Sequence, residues 1–369
     1  MKVFFDHQVF SVATSGGVSR YFVELGVALN QQESIDVSIL CPFNQSELVR
    51  GSRAKLPLLG LDFSHIVAVP NRLARLLNHL LVRPMTAFAK PDIVHETYYS
   101  FERTAPVTAQ VVTTVHDTIP ELLPNLFLQA EEHKKLIRAV LRQADWVVCV
   151  SESTRRDMLK IYDFDPDRVT VTPLGNSIQP STKDPIRLDR PYFLHVGARY
   201  SYKNFIGLLE AFGRASLHRT HFLVSYSHHP LGALELDAMK QFGVPENTVI
   251  HVSGDDEKMA RYYAGAEALV VPSLYEGFGL PVVEAMSCGC PVLSSNAGSL
   301  PEVAGDAALY FDPRDTDAIG AAMLRIASST QERMRMVHLG LARAARFSWE
   351  RCAAATAAAY RQVMARPRE

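Results

Sequence analysis

Short apolar strings alternate with amphipathic helical segments along this chain, and this alternation constrains its fold more than any other feature. The segments 20–29 and 131–143 repeat their apolar residues with a helical period. Strands that alternate with helices form parallel sheets covered by helices. The sequence therefore predicts an α/β protein made of βαβ units. The first set of strand-like strings, rich in valine and isoleucine, lies at 3–5, 37–40, 93–95, 111–115, 146–150 and 169–172.

The alternation stops once and then begins again. Residues 176–190 contain two prolines, polar turn formers and no apolar period, which is typical of a linker. New strings follow at 192–196, 222–225, 248–252, 268–271, 291–294 and 308–311. We therefore expect two Rossmann-like parallel-sheet domains, 1–175 and 191–348, that face a central cleft, because ligands bind beyond the carboxyl ends of parallel strands. The alanine-rich helix at 349–369 is expected to cross back to the first domain.

Charge and cysteine content exclude several classes of protein. The 38 Lys and Arg residues nearly balance the 39 Asp and Glu residues, so the chain lacks the basic field of a nucleic-acid-binding protein. The five cysteines, an odd number within apolar strings, indicate a reducing compartment. The first residues lack the apolar centre of a signal peptide, and no apolar run approaches the ~18–20 residues of a membrane span. We therefore expect a cytoplasmic protein.

The segment richest in chemical information is 272–292, PSLYEGFGLPVVEAMSCGCPV. Glu276 precedes a predicted helix, Pro281 suits its first turn, and Glu284 lies inside it, eight residues after Glu276. The loop offers backbone N–H groups at a helix start, where partial positive charge favours phosphate oxygens. The glycine loop argues against the alternative that Glu276 and Glu284 are ordinary surface carboxylates near a helix start. It predicts instead that one of these carboxylates binds sugar hydroxyls and that the other binds ribose hydroxyls. The loop residues are Gly277, Phe278, Gly279 and Leu280.

This segment resembles the E-x7-E region of family 4 retaining glycosyltransferases, including the EAM-x-CG-x-PV that follows. The resemblance runs along nearly the whole chain and implies the GT-B fold, a nucleotide-diphosphate sugar as donor substrate, and neither a metal nor a cofactor. In the family the first glutamate contacts the donor sugar and the second contacts the ribose, roles that the resemblance gives to Glu276 and Glu284. The acidic string 163–167, which could suggest a metal-binding D-x-D, is interpreted as a turn.

Two cations follow the first strand of the second domain, in the string GARYSYKNF at 197–205. Arg199 and Lys203 at a strand end can stabilise a diphosphate leaving group. The alternative is that both side chains are simply solvated on a surface loop. Related enzymes place an Arg and a Lys here on the pyrophosphate. Many of them have the Arg directly before the Lys, where this chain has Tyr202, so the family pattern matches Lys203 directly and Arg199 only at a shifted position.

The first domain carries two further elements of the family pattern. Gly16 and Gly17 precede a helix and match the amino-terminal GG loop, which implies a contact with donor phosphates. For the neighbouring Arg20, a phosphate contact and a helix-surface charge both stay open. His116 and Asp117 follow a predicted strand and resemble the VHD element, whose histidine lies near the transferred sugar. His116 is therefore expected in the catalytic site, with Asp117 orienting it or capping the next helix.

The acceptor side is expected in the first domain, at residues that follow another strand: His95, Glu96 and Tyr98. The segment 63–91 has no Asp or Glu and combines leucines with several cations. It fits an anionic membrane surface or, alternatively, an ordinary core-facing helix with a solvated face. On the membrane interpretation, the acceptor is a polyprenyl-diphosphate-linked oligosaccharide at the inner face of the plasma membrane. The cations are Arg72, Arg75, Arg83 and Lys90.

The strings GGVSRY, TVHDTIPE, VGARYSYKNF and EGFGLPVVEA together most resemble the branch of family 4 that adds mannose to bacterial polysaccharides. The resemblance implies transfer from GDP-mannose to a lipid-linked oligosaccharide in O-antigen, capsule or exopolysaccharide synthesis. Donors based on dTDP-rhamnose or a UDP-sugar stay open. A nucleotide-sugar epimerase and a non-catalytic sugar-binding subunit also stay open, because one fold can carry several functions.

Overall fold

The computed structural model of the protein describes residues 1–11, 16–44, 46–63, 71–101 and 103–366. The chain divides into two compact units. Unit 1 comprises Met1–Gly175 together with Ser348–Glu369, and unit 2 comprises Asn176–Phe347. Each unit is a parallel sheet with helices, so the predicted α/β fold with two Rossmann-like sheets is confirmed.

Unit 1 contains a seven-stranded parallel sheet in the order β3-β2-β1-β4-β5-β6-β7. Its strands are β1 (Lys2–Phe5), β2 (Asp36–Asn44), β3 (Leu58–Asp62), β4 (Ile93–Glu96), β5 (Gln110–Val115), β6 (Trp146–Cys149) and β7 (Val169–Val171). The central strands β4, β5 and β6 are buried along their whole length. The sequence of β6, WVVC, is continuously apolar, as burial on both faces favours, whereas β4 and β5 also carry polar residues such as His95 and Thr114. The helices before residue 176 are α1 (Gly17–Leu29), α2 (Glu47–Ser52), α3 (Asn71–Ala89), α4 (Ile119–Leu122), α5 (Ala130–Gln143) and α6 (Glu152–Ile161).

Unit 2 contains a six-stranded parallel sheet in the order β10-β9-β8-β11-β12-β13. Its strands are β8 (Tyr192–Val196), β9 (Phe222–Tyr226), β10 (Val249–Val252), β11 (Ala268–Val271), β12 (Val292–Ser295) and β13 (Ala308–Phe311). Phe193, Phe212 and Leu293 belong to its buried core. Its helices are α7 (Phe205–Arg214), α8 (Ala233–Gln241), α9 (Asp256–Gly265), α10 (Leu280–Ser287), α11 (Leu300–Ala304), α12 (Thr316–Ser328) and α13 (Thr330–Ala344).

The segment predicted as a linker and the last helix pack on different units. Residues 176–190 form neither helix nor strand, and they belong to unit 2, where the Ile186 backbone N–H donates to the Arg261 carbonyl at 3.0 Å. The last helix, α14 (Trp349–Ala365), belongs to unit 1. Gly175 lies so close to it that a Cβ there would stand 2.4 Å from the backbone nitrogen of Trp349.

Both sheets have a point at which the strand order reverses. In unit 1 it lies between β1 and β4, and in unit 2 between β8 and β11. At such a switch point the loops that leave neighbouring strands run to opposite faces of the sheet, which opens a crevice where ligands bind. The loops that meet there begin at Asp6 and Thr97 in unit 1, and at Gly197 and Pro272 in unit 2.

Candidate functional site

Lys203 and Glu276 meet at the switch point of unit 2. Lys203 ends a short turn that follows β8, and Glu276 lies in the loop between β11 and α10. Lys203 Nζ donates to Glu276 Oε1 at 2.7 Å, and Ser273 Oγ donates to the same oxygen at 2.6 Å. The two charged side chains are only 19% and 11% exposed. The structure thus joins the predicted cation and the predicted sugar-binding carboxylate in one partly buried ion pair.

The backbone around this pair is held by residues that the sequence did not reveal as important. Asn204 has a left-handed conformation with φ 54°, and its side-chain N–H groups donate to the carbonyls of Pro272 at 3.1 Å and Pro313 at 2.7 Å. The loop after β8 is therefore tied to the loop after β11. A histidine, lysine or carboxylate at a strand end predicts a catalytic or binding role, whereas an asparagine in a loop predicts no particular role. The contribution of Asn204 therefore could not be predicted from the sequence.

The loop after β12 fixes the backbone of Glu276. Ser299 donates to the Glu276 carbonyl from its backbone N–H at 3.1 Å and from its Oγ at 3.0 Å. Gly298 has φ 59°, and a Cβ there would lie 2.5 Å from the same carbonyl oxygen. Only glycine fits this close approach. Sequence reasoning did not single out Ser299 or Gly298, because their importance depends on a contact with a distant loop.

The predicted glycine loop leads directly into α10. Gly279 precedes the helix with φ 98°, and a Cβ there would lie 2.7 Å from Cδ2 of Leu300. Phe278 is buried and packs edge-on against Phe347 at 5.7 Å between ring centroids. Gly277 lies between Phe278 and Glu276, and Leu280 is the first residue of α10. The amino-terminal N–H groups of the helix therefore lie close in the chain to Glu276, as an anion site at a helix start requires.

Glu284 lies inside α10, where its side chain is largely buried. Its Oε2 accepts a hydrogen bond from the hydroxyl of Tyr263 at 3.0 Å. Burial, followed by the charge of Glu284, raises the pKa of Tyr263 well above its ordinary value, so the phenol stays a donor. The Tyr263 contact orients the carboxylate, and the predicted ribose contact of Glu284 stays a prediction.

The structure corrects the predicted role of Arg199. Its guanidinium is buried and makes five hydrogen bonds within unit 2. Nε donates to Glu235 Oε1 at 3.0 Å, and the terminal nitrogens donate to two serine hydroxyls and two backbone carbonyls. A guanidinium has five N–H donors, so none is left for a diphosphate. Arg199 instead anchors the loop that follows β9, and the partners on that loop are Ser227, His229 and Pro230.

His116 lies at the carboxyl end of β5 in unit 1. Its ring packs edge-on against Tyr21 at 5.2 Å, and its Nε2 is buried without a hydrogen-bond partner among the described residues. Burial lowers the pKa of His116 to about 4, so the ring is neutral at neutral pH. Asp117 Oδ1 accepts from the backbone N–H of Ile119 at 3.0 Å, which supports the start of α4. The catalytic role of His116 stays a prediction.

The amino-terminal glycine pair lies at the start of α1. Gly16 precedes the helix and Gly17 is its first residue. Among the described residues, apart from the chain neighbours, no heavy atom lies within 4 Å of the place where either glycine would carry a Cβ. The backbone is therefore open to close approach, as the predicted phosphate contact requires. For Arg20, in the first turn of α1, both interpretations stay open.

The three residues predicted on the acceptor side have different surroundings. His95 is fully buried, and its ring nitrogens pair with Tyr360 Oη at 2.7 Å and Thr114 Oγ1 at 2.8 Å. Both nitrogens are used inside unit 1, so the acceptor role of His95 is corrected to a link between β4, β5 and α14. Glu96 is also buried, whereas Tyr98 is 42% exposed and stacks on Tyr99. For Glu96 and Tyr98 the acceptor role stays a prediction.

Glu96→Gln should change how stability depends on pH. Burial, and then the nearby Asp6, raise the pKa of Glu96 to about 8, although Arg103 opposes the shift. The folded protein thus keeps a proton that the unfolded chain releases near pH 4.3, so stability falls as pH rises towards 8. Between pH 6.5 and 9 we expect wild-type protein to lose about 2 kcal/mol that the variant retains. Urea unfolding at both pH values, with Glu132→Gln as an exposed control, measures this; parallel pH profiles would contradict it.

Several large apolar side chains of α3 are exposed to solvent. Leu76, Leu80 and Phe88 are 54%, 60% and 90% exposed, whereas the polar Asn78 and Thr86 are buried. The helix also faces the core, because Val82 is buried with Phe4 and Leu40 and is covered by Met85 and Ala89, so the membrane interpretation and the core-facing interpretation both stay open. Residues 64–70 lie outside the described residues, as do the side chains of Arg72 and Arg75. None of the described helices is long and apolar enough to span a bilayer.

A cavity of about 750 Å³ lies at the amino ends of the strands of the second sheet, whereas Lys203 and Glu276 follow the carboxyl ends of those strands. It is lined by residues that precede β8, β11 and β12, such as Pro191, Glu267 and Pro291, and by one side of α13. Because ligands of parallel sheets bind at carboxyl ends, this cavity is separate from the candidate site. Within the described residues, no three His, Cys, Asp or Glu side chains are grouped so that they could hold a metal ion.

Comparison with known proteins agrees with this geometry. Residues 15–178 match the family described as Glycosyltransferase Family 4, and residues 179–340 match Glycosyl transferases group 1. The O-antigen chain mannosyltransferase B of Escherichia coli is 34% identical over 68% of this chain and 70% of its own length. The MMP alpha-(1->4)-mannosyltransferase of Mycolicibacterium hassiacum is 33% identical over 62% of this chain and 57% of its own length.

The fold has solved counterparts. Sucrose-phosphate synthase from Thermosynechococcus elongatus superposes with a TM-score of 0.78 at 22% identity, covering 99% of both chains. The two Rossmann-like units, this structural likeness and the glycosyltransferase family match together show the GT-B fold. Since both family descriptions and a relative above 30% identity match, the chain belongs to glycosyltransferase family 4.

Proposed function

We propose that the protein transfers mannose from GDP-mannose to a lipid-linked oligosaccharide during polysaccharide synthesis, with retention of configuration and without a metal. The observation that carries the proposal is the Lys203–Glu276 pair at the switch point of unit 2. Relatives at 33–34% identity named as mannosyltransferases support the choice of sugar. A UDP-sugar or dTDP-rhamnose as donor is the alternative within the same class.

In this proposal unit 2 binds the donor. The Lys203 ammonium neutralises charge on the diphosphate as the bond to the anomeric carbon breaks, and the amino-terminal amides of α10 assist. Glu276 accepts hydrogen bonds from hydroxyls of the mannose, and Glu284 accepts from the ribose. The acceptor hydroxyl forms the new bond on the face that the diphosphate leaves, and its proton passes to the departing phosphate oxygen.

The donor is tested by thermal unfolding with a panel of nucleotide sugars. A ligand that binds only the folded state stabilises it by about 2.7 kcal/mol at one hundred times its dissociation constant. We expect GDP-mannose to raise the melting temperature more than UDP-glucose, UDP-N-acetylglucosamine or dTDP-rhamnose. A larger shift with another donor would exclude GDP-mannose, and donor turnover without any acceptor would favour an epimerase.

We also propose that the α3 face docks on the anionic surface of the membrane that carries the acceptor. Exposed leucines and a phenylalanine would enter the headgroup region, while the cations of 63–91, a segment free of Asp and Glu, would pair with lipid phosphates. Unit 1 would thereby be held beside a lipid-linked acceptor. This proposal requires no membrane-spanning helix.

Substituting two exposed α3 residues, Leu80→Gln with Phe88→Gln, should lower binding to vesicles that contain phosphatidylglycerol by about tenfold, since each apolar side chain contributes part of its transfer free energy. Both side chains are exposed, so folding should be unchanged. Leu324→Gln, at a 47% exposed leucine of α12, is the matched control. Co-sedimentation measures binding; equal binding by the double variant and the control would argue against this surface.

A further inference from the structure

The switch point of unit 1 holds a polar cluster that the proposed donor site does not use. The loop after β1 begins with Asp6, His7 and Gln8, and the loop after β4 begins with Thr97. All four residues are at least nine-tenths buried. Because β1 and β4 are neighbours and parallel, their carboxyl ends bring these residues to one crevice.

Asp6 is used to build this crevice. Its Oδ1 accepts from the backbone N–H of Thr97 at 2.8 Å and from Thr97 Oγ1 at 2.7 Å. Its Oδ2 accepts from Thr104 Oγ1 at 3.1 Å. The carboxylate therefore ties the loop after β1 to the loop after β4 and fixes the backbone that presents the next two residues.

His7 and Gln8 have polar atoms that the described part of the chain does not satisfy. His7 Nδ1 and both Gln8 amide atoms, Oε1 and Nε2, are buried and have no hydrogen-bond partner among the described residues. Buried polar atoms are almost always paired, because an unpaired one loses its hydrogen bonds to water without replacement. Three such atoms on adjacent residues at a switch point indicate a ligand that supplies the missing partners.

The electrostatics of the crevice favour an uncharged ligand. Asp6 and Arg103 act in opposite directions on the neighbouring Glu96, since Asp6 raises the pKa of Glu96 and Arg103 lowers it. Burial raises the pKa of Glu96 to about 8 and lowers the pKa of His7, so both are mainly neutral at neutral pH. An amide and a neutral imidazole offer both donors and acceptors. Sugar hydroxyls, each a donor and an acceptor, match this set better than a phosphate does.

We infer that His7 and Gln8 bind hydroxyl groups of the terminal sugar of the acceptor glycan and thereby select which acceptor is used. The inference rests on the proposed transferase function and extends it by naming residues for the acceptor sugar. The residues inferred to bind the acceptor sugar belong to unit 1, whereas the donor residues Lys203 and Glu276 belong to unit 2. In the acceptor site Asp6 is a positioning residue.

Gln8→Leu tests this inference, because leucine keeps the approximate volume and removes both amide atoms. We expect the ligand-free melting temperature to stay equal or rise, since two unpaired polar atoms are removed from a buried place. The shift caused by GDP-mannose should be unchanged. Saturation-transfer NMR measures the binding of octyl glycosides of mannose, glucose, galactose and N-acetylglucosamine. For the glycoside that the wild type binds, the variant should bind at least tenfold more weakly. The KM of the variant for this glycoside as acceptor substrate should rise by the same factor.

Gln31→Leu, at an exposed turn of unit 1, is the matched control. A melting temperature of Gln8→Leu below that of the control would show that the amide is paired within the protein, which overturns the inference. Unchanged glycoside binding, or a wild-type protein that binds none of the four glycosides, would also overturn it. Failure of the donor proposal has a different signature, since GDP-mannose would then stabilise neither the wild type nor the variant.

Discussion

Lys203→Met should lower kcat/KM for sugar transfer by about 10²–10³-fold, the loss that follows removal of one group stabilising an oxyanion in the transition state. The methionine keeps the apolar stem and its packing near the Tyr202 ring, which lies 5.2 Å from the ammonium. It removes the charge that the leaving diphosphate requires. The variant should also lose the thermal shift produced by GDP alone, because the ammonium addresses the diphosphate and not the sugar.

A matched control exists in the same unit. Lys183 Nζ also lies 2.7 Å from a carboxylate, Glu257 Oε1, but its side chain is 63% exposed. Lys183→Met removes an ion pair of equal length whose exposed position gives it little energetic value. We expect this control to keep wild-type activity. If Lys203→Met, shown to be folded by circular dichroism, stays within a few-fold of the control, Lys203 does not stabilise the leaving group.

Stability needs a separate measurement for this pair. Removing one partner of a largely buried ion pair leaves the other uncompensated, so Lys203→Met should also unfold at a lower temperature than the control. The double variant Lys203→Met with Glu276→Gln removes both charges and should recover part of that stability without recovering activity. A double-mutant cycle thereby separates the structural coupling of the pair from its part in catalysis.

The sequence predicts the sheets well because several buried parallel strands are apolar along their whole length, as in β11 with the sequence ALVV. The strand β3, Leu58–Asp62, was missed. It is the edge of the first sheet and contains Gly60 at positive φ, and its residues alternate between half-buried and exposed. Its sequence, LLGLD, contains a glycine and no β-branched residue, whereas the strings predicted as strands are rich in valine and isoleucine.

Within the candidate site, Lys203 and Glu276 are selected from the sequence as separate residues near strand ends, and the structure joins them in one ion pair. The same reasoning gave Arg199 and His95 roles that the structure does not support. Arg199 is paired by a carboxylate 36 residues away, and His95 by a tyrosine 265 residues away. Tertiary partners at such separations leave no local pattern. A polar residue after a strand is therefore well predicted to lie at the ligand edge, but whether it faces a ligand or the protein depends on the complete fold.

Glu276→Gln should lower kcat by about 10²-fold, because a hydrogen bond to a charged group contributes about 1.5–3 kcal/mol and this one is made to the sugar that reacts. Glutamine keeps an oxygen that can accept from Ser273 and Lys203, so the loop should keep its conformation. The variant should bind GDP as wild type does, yet lose the additional stabilisation that GDP-mannose gives over GDP. This pattern distinguishes a sugar contact from a diphosphate contact, since Lys203→Met should lose the shifts from both ligands.

The control for Glu276 is Glu267→Gln, also in unit 2. Glu267 is a partly buried carboxylate that lies 3.0 Å from His221 Nε2 and 3.6 Å from Arg333 Nη1, at the edge of the sheet opposite the candidate site. Its substitution should affect melting temperature at least as much as Glu276→Gln does, while leaving transfer near the wild-type rate. Glu276 is tied by its backbone to Ser299 and its loop is held by Gly298, so loss of its charge alone should not release the loop. If both variants kept wild-type activity, or if both lost activity in proportion to their stability, the carboxylate of Glu276 would be structural and would not bind the sugar.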